Sequence, residues 1–463
     1  MAMSEVTRRS LLSELGARVR GTVIGRDHPE YDEARAVWNG LIDRHPEVVV
    51  RCADADDVVA CVNAARTHRP IVSIRGGGHQ VAGSAVCDDG LVIDLSRMRD
   101  VIVDPVARTA RVQGGARWAD VDAAAQAFGL ATPGGEVSET GVAGLTLGGG
   151  LGLMQRTHGL SCDNVLSMTV VTADGAVRTA SADENAELYW ALRGAGRGLG
   201  VVTEFTFALH RLGPEVAAAA FVYPADDAGA VFRAWRRLAA EAPPTIAPQF
   251  ALWALPPFPG LPDEFVGVPI AMAVGTYIGE PADAAPVLEP FQGLGEPILD
   301  LSGTSTWVEA QSEFDFALPD GGRYYWKSHF TDELDDATID LIVEHAARRP
   351  DPNSAVFVRT LGGTIDRIGP DETAFAHRGA LFNVSVDAVW SDPALDDDAI
   401  GWARGLWNAL EPVSRGMYLN FAGLGDEEGA GGDLILGAHE ERVERIRLAY
   451  DPDGVFAAAA ARP

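Results

Sequence analysis

Glycine clustering constrains this chain more than any other feature. An apolar run, Pro70-Ile71-Val72-Ser73-Ile74, opens into Arg75-Gly76-Gly77-Gly78-His79-Gln80-Val81-Ala82-Gly83. A second cluster runs from Gly141-Val142-Ala143-Gly144 to Gly148-Gly149-Gly150-Leu151-Gly152-Leu153, a third is Gly159-Leu160-Ser161-Cys162-Asp163-Asn164, and a fourth is Arg193-Gly194-Ala195-Gly196-Arg197-Gly198-Leu199-Gly200, leading into Val201-Val202-Thr203-Glu204. Without a Cβ, glycine leaves its backbone N–H bare and lets the chain approach an anion closely. One such stretch is more often a plain tight turn. Four within about 130 residues, each expected beside a strand, argue for one long anionic cofactor wrapped by backbone donors. None fits GxGxxG in a short βαβ unit, and a P-loop is excluded because Lys327 is the only lysine.

The composition sets the outer bounds. At 463 residues and 47% hydrophobic, the chain can build two domains with proper cores. A formal charge of -29 would repel a phosphate backbone, so no nucleic-acid partner is expected. The four cysteines (Cys52, Cys61, Cys87, Cys162) form no CxxC pair, which suits a reducing, cytoplasmic setting and spells out no metal cage. His158 and Cys162 are too few for a zinc site. No membrane span is expected, since nowhere do eighteen apolar residues run together. Thr7-Arg8-Arg9-Ser10-Leu11-Leu12 glances at a twin-arginine signal but is interrupted by Glu14, Arg18 and Arg20, and reads as a first helix.

From Val48 to His210, extended runs (71–75, 91–95, 109–113) alternate with helical ones such as 118–128, an α/β pattern. After Gly213-Pro214, strands are expected near 217–222, 270–276, 356–360 and 381–390, and helices at 230–240, 332–348 and 394–410. That pattern predicts a second, helix-covered sheet and a boundary at about residue 212. A last helix, 439–450, ends at the turn Asp451-Pro452-Asp453-Gly454, which leads Val455-Phe456 back toward a core; an alanine run, Ala457 to Ala461, follows.

The glycine clusters, taken in order with Tyr418-Leu419-Asn420-Phe421 and Tyr450-Asp451-Pro452, resemble the FAD-linked oxidases of the vanillyl-alcohol-oxidase (PCMH-type) superfamily, particularly the berberine-bridge-enzyme-like branch. The resemblance covers nearly the whole chain and is loosest between residues 213 and 405. It implies an α+β fold: a two-subdomain FAD-binding domain over 1–212, completed by 412–463, and a substrate domain over 213–411 whose antiparallel sheet is backed by helices. It implies FAD held by Arg75, Gly76, Gly77, Gly78, His79, Gln80 and Gly83, by Pro133, Gly134, Ser138, Gly141, Val142 and Gly144, by Gly149, Gly150, Gly152 and Leu153, by Gly159, Leu160, Asp163 and Asn164, by Gly200, Val201 and Val202, and by Tyr418 and Asn420.

By the same resemblance, His79 is joined to the 8α-methyl carbon of the flavin; the alternative is a neutral His79 bonding its own loop. The cysteine that makes a second link in many relatives is replaced by Val137 in Gly135-Glu136-Val137-Ser138. Cys162 reads as a buried thiol, and a second link through it stays open. The implied reaction is oxidation of a CH–OH or CH–NH group of a small molecule by hydride transfer to flavin N5, with O2 as acceptor giving hydrogen peroxide. Tyr418 is implied as the base, with Asn420 on the same face of an extended segment, and a phenol in that role needs a lowered pKa. Its alternative is a core aromatic. Lys327, in the aromatic run Tyr324-Tyr325-Trp326-Lys327-Ser328-His329, either lines the pocket or is an ordinary solvated lysine, and His329 shares its parity. The rival readings are a flavin dehydrogenase with another acceptor and a non-catalytic flavin or ligand-binding protein. The sequence names neither the substrate nor the oligomeric state.

Overall fold

The computed structural model describes residues 5–257, 261–424 and 431–456; the alanine run lies outside them. Helix Glu5–Arg18 forms where the paired arginines stand. The first sheet carries strands Thr22–Gly25, Val48–Arg51, Leu91–Asp94 and Val72–Arg75 in that spatial order, antiparallel at the outer pair and parallel within. Its crossover helix, Ala55–His68, starts where the Asp54 carboxylate accepts hydrogen bonds from Asp56 N and Asp57 N. Val58, Cys61, Val62 and Ala65, at helical spacing, bury that helix against the sheet.

A second sheet is wholly antiparallel, in the order Val101–Asp104, Thr109–Gln113, Val201–Ala208, Val165–Val171, Val177–Ser181. Between the sheets the glycine stretches cross. A Cβ on Gly77 would lie 2.4 Å from Gly141 N, and one on Gly141 would lie 2.3 Å from Gly77 N, so these two backbones touch only because both residues are glycine. The second cluster departs from expectation: it lies beside no strand but folds into the short helix Val142–Leu147 and a turn leading to helix Gln155–His158.

The third sheet is the largest and antiparallel throughout. Its order is Leu299–Asp300, Glu215–Pro224, Pro269–Tyr277, Gln249–Ala254, Ala355–Thr360, Phe382–Trp390, Arg323–Thr331, with Gly303–Thr306 also paired to Glu215–Pro224. Helices Ala228–Glu241, Asp336–Ala346 and Asp396–Leu410 cover one face. Successive side chains of a strand point to opposite faces, so Phe250, Leu252, Val356, Val358, Val384, Val386 and Ala388 pack under the helices while their neighbours face the other way. The helix expected from residue 332 begins only at Asp336, because Asp335 accepts from Thr338 N at 2.7 Å and caps it.

The chain then returns to the first two sheets. Helix Glu440–Tyr450 packs Val443 and Ile446 against the second. The Asp451 carboxylate accepts from Val455 N and Phe456 N at 2.7 and 2.8 Å, folding both residues into the core of the first. Among the described residues no helix is long and apolar enough to cross a membrane, and no group of three His, Cys, Asp or Glu could hold a metal ion.

Candidate active site

A cavity of about 320 Å³ lies between the glycine crossing and the helix-free face of the third sheet. Its floor is built from Gly76, Gly77, Gly78, His79, Gln80, Gly141, Gly144, Gly148, Gly196, Gly198, Gly200 and Val202. Gly78 sits at φ +76°, a conformation that favours glycine, and a Cβ there or at Gly144 would meet nothing within 4 Å. Side chains at either position would therefore occupy the cavity. The single carboxylate that residues 72–202 bring to the wall, Glu136, is bound by Arg359 across the cavity, and Gln80 Oε1 is buried without a partner. A glycine floor whose carboxylate is already neutralised fits a diphosphate-bearing cofactor such as FAD.

His79 stands at the edge of this floor. Its ring stacks on Trp38 at 5.1 Å, and Trp38 stacks on Tyr324 at 3.7 Å, joining floor to roof. Burial, with the charge of Arg117 second, pulls its pKa down to about 4, so the imidazole is neutral at physiological pH and keeps a lone pair.

Tyr418 and Asn420 also line the cavity, but not along an extended segment. Leu419–Phe421 is a 3-10 turn that folds Asn420 back, so that its amide donates to Tyr418 Oη at 2.8 Å and to Leu145 O at 2.9 Å. Gly148 must lack a side chain for this, since a Cβ there would fall 2.1 Å from Asn420 Oδ1. Tyr418 Oη also accepts from Gly150 N and Leu151 N, each at 3.1 Å. These three donors favour a phenolate, yet complete burial outweighs them and pushes the phenol up to about 12. The lowered pKa expected of a base is absent: Tyr418 keeps its proton, and its oxygen is already supplied with donors.

Lys327 falls on the other face of the sheet. It shares parity with Tyr325 and His329, under helix Asp396–Leu410, and its Nζ lies 3.8 Å from the centre of the Trp407 ring. His329 Nε2 bonds Trp407 O on the same helix. Trp326, one residue earlier, is the member of that run that lines the cavity.

Several residues expected at the cofactor support the wall from behind instead of forming it. Arg75 Nη1 donates to Ala34 O at 2.6 Å beside Asp94, and Gly83 lies against Ile42. Gly134 and Gly152 pack on each other, next to Pro133, while Ser138 Oγ and N bond Asp315. Leu153 borders a smaller cavity. Val142 and Val201 are core residues, and Gly149 and Gly150 press on Phe375 and Ser161. In the third cluster, Asp163 accepts from Leu160 N and pairs with buried Arg378, a Cβ on Gly159 would meet Asp163, and Asn164 bonds His158 O, Leu160 O and His210. Cys162 is a fully buried thiol outside the cavity wall.

The roof holds what motif reading missed. Trp253, Phe357, Val389, Trp326, Phe314 and Leu318 form an apolar wall around Gln249, Arg359 and Asp387. Arg359 Nε donates to Glu136 Oε2 at 2.9 Å, Arg359 Nη1 donates to Ser385 Oγ at 2.9 Å, and Gln249 Nε2 donates to Glu136 Oε1 at 2.6 Å. Asp387 is 5% exposed, and its Oδ1 has no partner. Burial is the main cause holding its carboxyl up at about 7, against the pull of Arg359. The available signal was parity: Arg359 and Asp387 are the charged residues between Val356, Val358, Val384, Val386 and Ala388, which alternate on the helix-covered face.

A family model described as an FAD binding domain matches residues 46–181. The FAD-linked oxidoreductase hasG of Aspergillus fumigatus is 30% identical over 443 residues, spanning 90% of this chain and 92% of its own. Among solved structures, BBE-like 1 of Physcomitrella patens superposes with a TM-score of 0.86 at 23% identity over 97% of both chains. The 6-hydroxy-D-nicotine oxidase of Arthrobacter nicotinovorans superposes with a TM-score of 0.82 at 26% identity, over 95% of this chain and 96% of that one. With a glycine floor that suits the cofactor and this fold, the chain belongs to the FAD-linked oxidoreductases of the PCMH-type superfamily.

Proposed function

We propose that the protein is an oxidase of the berberine-bridge-enzyme-like branch, acting on a CH–OH or CH–NH group of a small, ring-bearing substrate. The observation that carries this reading is that one cavity joins the glycine floor and His79 to a roof lined by Asp387, a carboxyl that no arginine binds. FAD held here would accept hydride at N5 and pass the electrons to O2, giving hydrogen peroxide.

The chain's own groups divide the remaining work. Asp387, with its pKa near 7, takes the substrate's O–H or N–H proton. Tyr418 stays protonated and donates into the cavity, positioned by Gly150 N, Leu151 N and Asn420. Trp253, Trp326 and Phe357 hold a planar group and exclude water. A polyol would find few free polar partners on this roof, because Glu136, Arg359 and Gln249 satisfy one another. Neutral His79, whose lone pair is free of a proton, would be the residue that holds the flavin covalently, the 8α carbon giving up a proton and two electrons that pass through the flavin to O2. Residues 1–212 and 412–463 form the cofactor unit and 213–411 the substrate unit; four buried free cysteines suit a reducing, cytoplasmic compartment.

Acid precipitation of the purified protein, beside His79→Ala, tests this. Yellow colour should stay in the wild-type pellet and leave the variant's. Colour retained by the variant would refute a single histidyl link, and a protein without flavin would overturn the oxidase reading. Hydrogen peroxide formed in step with O2 consumption distinguishes an oxidase from a dehydrogenase.

A further inference from the structure

Glu136 comes from neither the third sheet nor a glycine stretch, but from the loop 135–138 that runs between them. That loop is pinned at each end from the sheet side: Gln311 Nε2 donates to Gly135 O at 3.1 Å, and Ser138 N donates to Asp315 at 2.8 Å. The Glu136 carboxylate is thereby delivered to two cross-strand partners, Gln249 and Arg359, which stand directly opposite in the sheet register and occupy one oxygen each. Arg359 lies 5.2 Å from the centre of the Phe421 ring and 5.3 Å from that of Phe357, and its Nη1 is spent on Ser385. Asp387 lines the cavity two residues from Ser385 on the same strand face, yet no hydrogen bond joins it to Arg359, and its Oδ1 is buried without a partner.

Two carboxylates thus compete for one guanidinium, and the loop decides the winner. We propose that Glu136 is a positioning residue: by binding Arg359 it keeps the guanidinium off Asp387 and leaves that carboxyl able to accept the substrate's proton. A carboxylate paired with Arg359 would be a poor base, because the ion pair would hold it ionised and weakly proton-seeking. The charged groups acting on Asp387 are Arg359, which lowers its proton affinity, and Glu136, the weaker, which raises it; its strand partners Trp326 and Ala355 carry no charge. Tyr418, which acts on Arg359 from the floor, is neutral. This inference rests on Asp387 being the proton acceptor.

The test is a pH titration of flavin-loaded protein carrying aspartate labelled with 13C at Cγ, followed by NMR. Asp387→Asn identifies the signal. In the wild type that signal should titrate near 7. Glu136→Gln should move it down by about one pH unit or more, Arg359→Gln should move it up, and Arg359→Lys, which keeps the charge, should leave it near the wild-type value. A structural role alone would not produce opposite movements from the two partners of one ion pair, and if Glu136→Gln fails to fold, Arg359→Gln still decides the sign. An unmoved signal in Glu136→Gln, or movement in the same direction for both variants, overturns the proposal. A wild-type signal at about 4 would instead overturn Asp387 as the proton acceptor.

Discussion

The floor and the roof of this cavity are built on opposite principles. Floor positions matter for lacking a side chain: Gly77 and Gly141 touch backbone to backbone, Gly148 admits Asn420, and Gly78 and Gly144 leave the cavity open. Roof positions matter for the side chain they carry and for the parity that aims it: Arg359 and Asp387 face the cavity while Val358 and Val386 face helices. The floor therefore serves any substrate the cofactor can oxidise, whereas the roof selects one. Lesions on the two sides should fail differently, the floor losing cofactor and stability together and the roof losing turnover with the cofactor still in place.

The largest expected effect tests the roof. Asp387→Asn should slow flavin reduction by substrate about 10²- to 10⁴-fold, the usual worth of a placed general base. Flavin content should be unchanged. Loss of flavin in this variant would break the division between the two sides.

Next in size is the floor. Gly77→Ala sets a methyl 2.4 Å from Gly141 N and 2.5 Å from its Cα, where neither main chain has room to retreat. The cost should be about 3 kcal/mol, read as a lowered urea midpoint, accompanied by loss of bound flavin. A variant that keeps its flavin and its midpoint would show that the two backbones are less tightly opposed than the geometry implies.

The contrast explains what was legible in the sequence. The glycine floor announced itself because contiguous residues make it, and the covered face of the third sheet was readable from alternating apolar residues near 356–360 and 381–390. The roof cluster was not readable, since Gln249, Arg359 and Asp387 meet only through strand register and Glu136 reaches them from a loop more than 100 residues earlier in the chain. Tyr418 and Asn420 were found together for the wrong geometric reason: a turn, not a strand, brings Asn420 to the phenol. The third cluster, Gly159 to Asn164, resembled a cofactor loop, but its polar groups are consumed by Arg378, His210 and local backbone.

A smaller effect should appear at the seam between the two sides. Asp122, fully buried, accepts from Trp307 Nε1 at 2.9 Å, and burial pushes its pKa up to about 7. A carboxyl that loses its proton near 4 when unfolded but near 7 when folded makes the folded state bind the extra proton between those values. Its contribution to stability is thus greatest below pH 4, declines as pH rises from 4 to 7, and is flat above. Thermal midpoints measured across that range should fall less steeply in Asp122→Asn than in the wild type. An equal slope would mean that Asp122 is ionised in the fold.

The smallest expected effect is the sharpest test of parity. Lys327 lies between Trp326 and Ser328 on a strand whose even-numbered Trp326 lines the cavity, and it was the residue whose rarity most invited a catalytic role. Its Nζ instead rests over Trp407, on the helix-covered face. Lys327→Met keeps the length and the apolar stem but removes the cation, so stability should fall by about 1 kcal/mol, the scale of a partly desolvated cation–π contact. The rate of flavin reduction should stay within about twofold, because Lys327 lies on the far face of the sheet and is not part of the cavity wall. A large rate loss with normal flavin content would place Lys327 in the chemistry after all, and would mean that strand parity is the wrong guide to which roof residues act.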